Sequence, residues 1–373
     1  MMQNQPIRIL QIVTSMNIGG LETMLMNYYR NIDRSKVQFD FLVHRSEEGH
    51  FEKEILELGG KIYRVLPLTI NGFFAYNRSL KRFFLNHNYH KIVHVHNNAF
   101  GYFPIKASKK ANIPIRIIHS HVSMVNEFSI KVLVGNFLKL KFAKIATNFI
   151  GCSQSAGEWM FGKNTNFIVL NNAIDSNKFK FDEQLDSQKR VELSCQNTIN
   201  FINVGRFSAS KNHFFLIEIF KEILLINSNC KLFLVGEGEL KHHIEQKIKD
   251  FNLTDKVVFL GLRNDVNDIL QAMDFFIFPS HYEGLPVSLI EAQAAGLKCI
   301  TSTGVPLEVA IVPGLVSFLN LEKSAKYWAE FILNKFPHQK NVTDKIIANA
   351  GFNVIENGKW LQNYYIDLFN KQK

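Results

Sequence analysis

The chain alternates short apolar runs with longer amphipathic stretches. In its first half, residues 7–13, 37–43, 61–65, 92–96, 115–119, 148–152 and 167–170 are compact apolar runs of strand length. Between several of them lie 21–31, 51–58, 74–86 and 131–145, whose apolar positions recur at helical spacing. Strand, helix and strand in succession predict a parallel, doubly wound sheet. The pattern then restarts, with strands expected at 200–204, 231–235, 257–260, 275–279 and 298–301 and helices between them. Two such repeats need a seam, and residues 182–197 are the one stretch poor in periodic apolar positions. We therefore expect an α/β protein with a first domain over 1–185, a linker at 186–197, a second domain over 198–355 and a terminal segment, 356–373. A chain of 373 residues is too long for one ordinary core, which agrees with two domains.

Composition narrows the class. With 46% hydrophobic and 20% charged residues, the chain belongs among folded globular proteins and not among disordered or fibrous ones. Four cysteines, Cys152, Cys195, Cys230 and Cys299, lie far apart with no Cys-x-x-Cys pair, as in a reducing compartment. The first apolar run carries Arg8 and reads as a strand, not as a secretion signal. No stretch reaches the roughly 18 apolar residues of a membrane span. These features place the chain in the cytoplasm.

Charge adds a partner. Residues 1–185 hold 23 Lys and Arg against 13 Asp and Glu, whereas 186–373 hold 20 of each, so the whole net charge of +10 sits in the first half. A basic half-molecule suits an anionic partner such as nucleic acid, an acidic membrane surface or a lipid phosphate; the plain alternative is a solvated basic surface. Residues 128–148 interleave Lys131, Lys139, Lys141 and Lys144 with apolar side chains, as an interfacial helix does, and Arg78, Lys81 and Arg82 form a second cluster. A core helix with snorkelling lysines has the same pattern. A nucleic-acid-binding protein is the weakest reading, because no recognition motif accompanies the charge.

Ligands of open α/β sheets bind beyond the carboxyl ends of the strands, so chemistry is sought there. After the run 275–279 comes Ser280-His281-Tyr282-Glu283-Gly284-Leu285-Pro286, and Glu291 follows inside the next helix. Pro286 suits a first helical turn, and the N–H groups near Gly284 and Leu285 stand at the positive end of that helix, a site for phosphate. Continuous helix would put Glu283 and Glu291 about 12 Å apart. A hydrolytic acid/base pair needs about 5 to 9.5 Å, so the two glutamates read as separate ligand contacts. After the run 200–204, Gly205-Arg206 and Lys211 place two cations at a strand-to-helix crossing, with Ser210 as the expected cap. Cations there offset a departing diphosphate; as mere surface charges they would be slightly disfavoured by the helix dipole. Gly19-Gly20 and Gly236-Glu237-Gly238 are glycine turns at two further strand ends, but lack the full dinucleotide spacing. His94, His96, His119 and His121 cluster at two strand tips. No carboxylate or cysteine stands at ligand spacing, so no metal site is expected, and His119 is the candidate for touching a transferred group.

Taken together, Arg206 and Lys211 (Gly-Arg-x4-Lys), Glu283 and Glu291 (Glu-x7-Glu), the Gly19-Gly20 loop and the Asn172-Ala173-Ile174-Asp175 turn resemble glycosyltransferase family 4, in order and over nearly the whole chain. Many members carry Gly where this chain has Ala173. The resemblance implies a GT-B fold, two Rossmann-like doubly wound domains facing an interdomain cleft, with the last helix packed back on the first domain. It implies retaining transfer of a hexose or N-acetylhexosamine from a nucleotide diphosphate sugar, UDP-linked by family habit, with no cofactor or metal required. Glu283 would contact donor-sugar hydroxyls, Glu291 the ribose, His119 the sugar near its reacting carbon. Arg206, Lys211 and the backbone near Gly284, Leu285, Gly19, Gly20 and Gly236 would serve the diphosphate and nucleotide. The acceptor would be a saccharide or polyprenyl-diphosphate-linked saccharide at the inner membrane face, in surface polysaccharide assembly. A nucleotide-sugar 2-epimerase of the same fold is the competing enzyme; it consumes donor without an acceptor.

Overall fold

The computed structural model describes residues 5–69, 71–122 and 130–372. The chain forms two compact units, residues 1–173 with 354–373 and residues 174–353.

The first unit is built on seven strands, β1 (Ile7–Ile12), β2 (Val37–Val43), β3 (Ile62–Arg64), β4 (Ile92–Val95), β5 (Ile115–Ser120), β6 (Asn148–Gly151) and β7 (Ile168–Val169). They lie in the order β3-β2-β1-β4-β5-β6-β7, every pair parallel. Strands covered on both faces must be apolar on both faces. In β2, Val37, Phe39, Phe41 and Val43 enter one core with Met24, Tyr28 and Tyr365, while Leu42 enters a second core with Tyr76, Leu80 and Phe83. The helices Gly20–Asn31 and Val354–Asn370 thus close one face, and the helices Phe73–Asn86 and Tyr102–Lys110 the other. One carboxylate interrupts β2. Burial alone would raise the Asp40 pKa, but Arg8 (2.8 Å) and His90 (2.9 Å) hold it below the ordinary value. The helix Val354–Asn370 is anchored here by Tyr365 against the Phe39 ring at 5.9 Å and by Gln362, which accepts from the Asp33 N–H at 2.7 Å.

The second unit has six strands, β8 (Ile199–Val204), β9 (Cys230–Val235), β10 (Val257–Gly261), β11 (Phe275–Phe278), β12 (Lys298–Ser302) and β13 (Val316–Leu319). Their order is β10-β9-β8-β11-β12-β13, again all parallel. Aromatics fill its core: Phe201 stacks on Phe275 at 5.4 Å, and Trp328 is fully buried beside Phe215. β13 has no counterpart among the strands expected from sequence. All four cysteines are buried and none forms a disulfide.

The expected boundary is corrected. The units divide between Ala173 and Ile174, and residues 182–197 belong wholly to the second unit. Their polar stretch contains a surface helix, Glu183–Glu192, with no buried residue, which is why it lacked an apolar stripe. The Asp182 carboxylate caps it, accepting from the N–H groups of Gln184 (2.8 Å) and Leu185 (3.0 Å), and Arg190 ties it to Asp274 at 2.7 Å. The last helix starts at Val354, and the chain passes between units at 173–174 and 353–354, where Ile174 bridges Asn353. Replacing Asp182 by Ala removes the cap and costs about 1 kcal/mol. Calorimetry should show the second unit melting roughly 2–4 °C lower, with the first unit's transition unmoved.

Candidate active site

Each sheet reverses its winding once, between β1 and β4 in the first unit and between β8 and β11 in the second. Neighbouring strands there send their connections in opposite directions and leave a gap at their carboxyl ends. Lys211 and Glu283 meet at the gap of the second unit.

In the second unit the loops after β8, β9 and β11 are locked together by backbone. Phe207 donates to the Glu237 carbonyl (3.0 Å), Leu240 to the Phe207 carbonyl (3.0 Å) and His281 to the Ser210 carbonyl (2.8 Å). The fit leaves no room for side chains at two points. A Cβ on Gly236, which sits at φ +141°, would lie 2.1 Å from the Gly205 carbonyl oxygen, and one on Gly304 would lie 2.0 Å from that of His281. Asn203 and Thr301 secure the end of β11 by donating to the carbonyls of Ile277 (2.7 Å) and Phe278 (2.9 Å).

Within this frame Lys211 Nζ lies 2.6 Å from Glu283 Oε1 and 4.7 Å from the centre of the Phe278 ring. Their side chains are only 19% and 13% exposed, so the pair is fixed and not a loose surface contact. Gly284 and Leu285 follow directly and are buried. Arg206 departs from expectation. It extends to Glu239 at 3.2 Å, on the glycine turn after β9, and both groups are more than half exposed. One expected cation is therefore seated beside Glu283 while the other stands on the rim. Ser210 caps no helix: residues Ala209–Lys211 make a short 3-10 turn, and the helix His213–Ile226 starts from Asn212 in the left-handed region at φ +54°. Glu291 lies in the helix Val287–Ala294, so only the latter part of the Glu283-to-Glu291 spacing is helical. Burial pushes the Glu291 carboxyl up to about 7.

In the first unit, Gly19 precedes and Gly20 opens the helix Gly20–Asn31 that follows β1. Four histidines occupy the tips of β4 and β5. His94, His96 and His119 are buried, while His121 just past β5 is partly exposed. Burial drives the pKa of His94 and His121 down to about 3 and those of His96 and His119 well below the ordinary value, so all four rings are neutral. His119, expected to touch the transferred group, has none of its surface exposed. Gln11 and Tyr365 were not legible as part of this cluster. Tyr365 reaches His94 Nδ1 at 2.7 Å across 271 residues of sequence, a contact no local pattern encodes.

Two all-parallel, doubly wound sheets, each reversing its winding once, make this a GT-B fold. The model of the family "Glycosyl transferases group 1" matches residues 186–350. The EpsF protein of Bacillus subtilis (strain 168), named as a glycosyltransferase, is 33% identical over 371 residues, covering 96% of each chain. The Escherichia coli UDP-Gal:alpha-D-GlcNAc-diphosphoundecaprenol alpha-1,3-galactosyltransferase is 27% identical over 74% of this chain and 75% of its own. Among solved structures, Anabaena Alr3699/HepE in complex with UDP and glucose superposes with a TM-score of 0.77 at 18% identity, covering 96% of this chain and 98% of that one. The chain belongs to the group 1 glycosyl transferases, and it is a glycosyltransferase.

The raised Glu291 pKa carries a stability consequence. With a folded value near 7 against an ordinary 4.5, stability is complete below pH 4.5 and declines as pH rises through 7. Glu291→Gln escapes that decline. The ligand-free variant should match the parent at pH 4.5 and exceed it at pH 8 by at most about 3 kcal/mol, read from urea melts at both pH values.

Proposed function

We propose that this enzyme moves a hexose or N-acetylhexosamine, with retention, from a UDP-linked donor to a saccharide carried on polyprenyl diphosphate, in surface polysaccharide assembly. The observation that carries the reading is the fixed Lys211–Glu283 pair at the reversal of the second sheet. Support for the donor and acceptor classes comes from the names of the Escherichia coli galactosyltransferase and of the Anabaena complex.

The mechanism follows from charge. Cleaving the anomeric C–O bond leaves an electron-poor sugar and an additional negative charge on the diphosphate. Lys211, already held at 2.6 Å from Glu283, neutralises that charge together with the amino end of the helix Val287–Ala294, and Arg206 joins by exchanging Glu239 for phosphate. Glu283 accepts hydrogen bonds from donor-sugar hydroxyls, and Glu291, ionised, accepts from the ribose. The acceptor hydroxyl attacks from the face the leaving group vacates and passes its proton to the departing phosphate oxygen, so no covalent glycosyl–enzyme forms and no metal is required.

Lys211→Ala should lower kcat for transfer by about 10² to 10³, the scale of one lost charge-stabilising donor. Arg206→Ala, starting from an exposed pair, should lower it less. The measurement is product formation from UDP-sugars with a lipid-linked acceptor, with anomeric configuration read by NMR. An inverted product, or a trapped covalent sugar, overturns the mechanism; transfer unchanged in Lys211→Ala overturns the site.

The acceptor reading extends to an anionic membrane surface at the cytoplasmic face. No helix among the described residues is long and apolar enough to cross a membrane. The helix Ile130–Lys139 and the turn after it expose Leu133, Val134, Phe137 and Leu140, the last to 78%, with exposed Lys144 following. Lys139 folds back over the Trp159 ring at 3.6 Å and Lys141 over Phe137 at 4.2 Å, so these cations frame the apolar face. Phe128 of the expected interfacial segment lies outside the described residues, as does the side chain of Lys131. Vesicles containing phosphatidylglycerol should sediment the enzyme at low salt, and Phe137→Glu with Leu140→Glu should weaken this at least about tenfold. No sedimentation of the parent protein at low salt removes the membrane claim.

A further inference from the structure

The four histidines at the tips of β4 and β5 pack closer than hydrogen bonding requires. Ring centroids lie 4.3 Å apart for His94 and His96, 5.2 Å for His94 and His119, 5.3 Å for His96 and His119, and 4.0 Å for His119 and His121. Hydrogen bonds use only some of their nitrogens. His94 Nδ1 meets the Tyr365 hydroxyl at 2.7 Å, His96 Nε2 meets Gln11 Oε1 at 2.9 Å, and His96 Nδ1 meets His121 Nε2 at 2.9 Å. His94 Nε2 and both nitrogens of His119 are buried with no hydrogen-bond partner. Buried polar atoms in native proteins are almost always satisfied, so three such atoms in one spot call for a ligand. One nitrogen from each of His94, His96 and His119 lies within 4.8 Å of the others.

We propose that His94, His96 and His119 form a binding site for a divalent first-row transition metal ion, zinc in the first instance. Tetrahedral zinc at about 2.1 Å from each nitrogen places ligand atoms about 3.4 Å apart, so the rings close by under about an ångström each. The second layer is already in place. With the ion on His94 Nε2, the Nδ1–H donates to the Tyr365 hydroxyl oxygen; with the ion on His96 Nδ1, the Nε2–H donates to Gln11 Oε1. Loading exchanges the His96–His121 hydrogen bond for a metal bond and leaves the fourth position to His121 or water. An all-nitrogen set suits zinc, nickel or copper and rejects magnesium, which takes oxygen. The ion would fasten β4 to β5 and, through Tyr365, to the helix Val354–Asn370. It plays no part in the transfer steps proposed above.

The test uses the full chain without a histidine tag, stripped with chelator and titrated with zinc chloride against a chromophoric competitor. One zinc per chain is expected, with no competition from millimolar magnesium. His94→Phe and His119→Phe fill the same space without an orphaned nitrogen, so they should fold, and each should weaken zinc at least about 100-fold; Tyr365→Phe should weaken it about tenfold. Removing the adjacent His242 and His243 of the second unit should change nothing. X-ray absorption of the loaded parent protein, independent of any variant, should show nitrogen neighbours at about 2.0–2.1 Å with imidazole scattering. Absence of stoichiometric binding at micromolar zinc, sulfur in the metal's shell, or affinity unaltered in both phenylalanine variants overturns the proposal.

Discussion

A parallel sheet sends all its strands out of one edge, and only where the winding reverses do two adjacent connections part and leave room for a ligand. The meeting of Lys211 and Glu283 follows from that constraint. In the second unit the reversal falls between β8 and β11, and Lys211 and Glu283 come one from each side of it to meet at 2.6 Å. Neither strand could hold such a pair alone. The cation is fixed because the loops that carry it have no slack: glycines press on opposing carbonyl oxygens, and backbone hydrogen bonds stitch three strand ends into one ledge. A charge stabilised in advance needs no reorganisation when negative charge appears on a leaving group.

That ledge also explains why two cations with similar sequence credentials behave differently. Lys211 is enclosed by Phe278 and Glu283, whereas Arg206 leans outward to Glu239 in water. Enclosure strengthens the first pair, and solvent screens the second. Glu291 shows the converse. It is half-buried in a short helix with no cation to offset its desolvation, and its pKa rises to about 7. Such a group is a cost to the folded chain at neutral pH.

Much of this was legible in the sequence, for definite reasons. Strands buried on both faces are continuous apolar runs, so β1, β2, β4, β5, β8, β9, β11 and β12 could be read from composition alone. The short edge strand β13, Val-Ser-Phe-Leu, carries too little signal and was missed. The helix Glu183–Glu192 was read as a linker because ion pairs, not apolar burial, hold it down. Ser210 looked like a cap, but Asn212 in the left-handed region starts the helix instead. The histidine cluster was visible as a spacing on two strands. Its surroundings were not, since Gln11 and Tyr365 meet across 354 residues of sequence.

The first unit is discontinuous, and its hydroxyl at Tyr365 arrives on the ribosome only after the whole second unit has been made. Domains ordinarily fold in the order of synthesis. Here that order is inverted: residues 174–353 can finish while the earlier sheet still shows an uncovered apolar face, the one that Val354, Leu361 and Tyr365 later seal. During translation the amino-terminal half thus keeps apolar surface uncovered longer than the half that follows it.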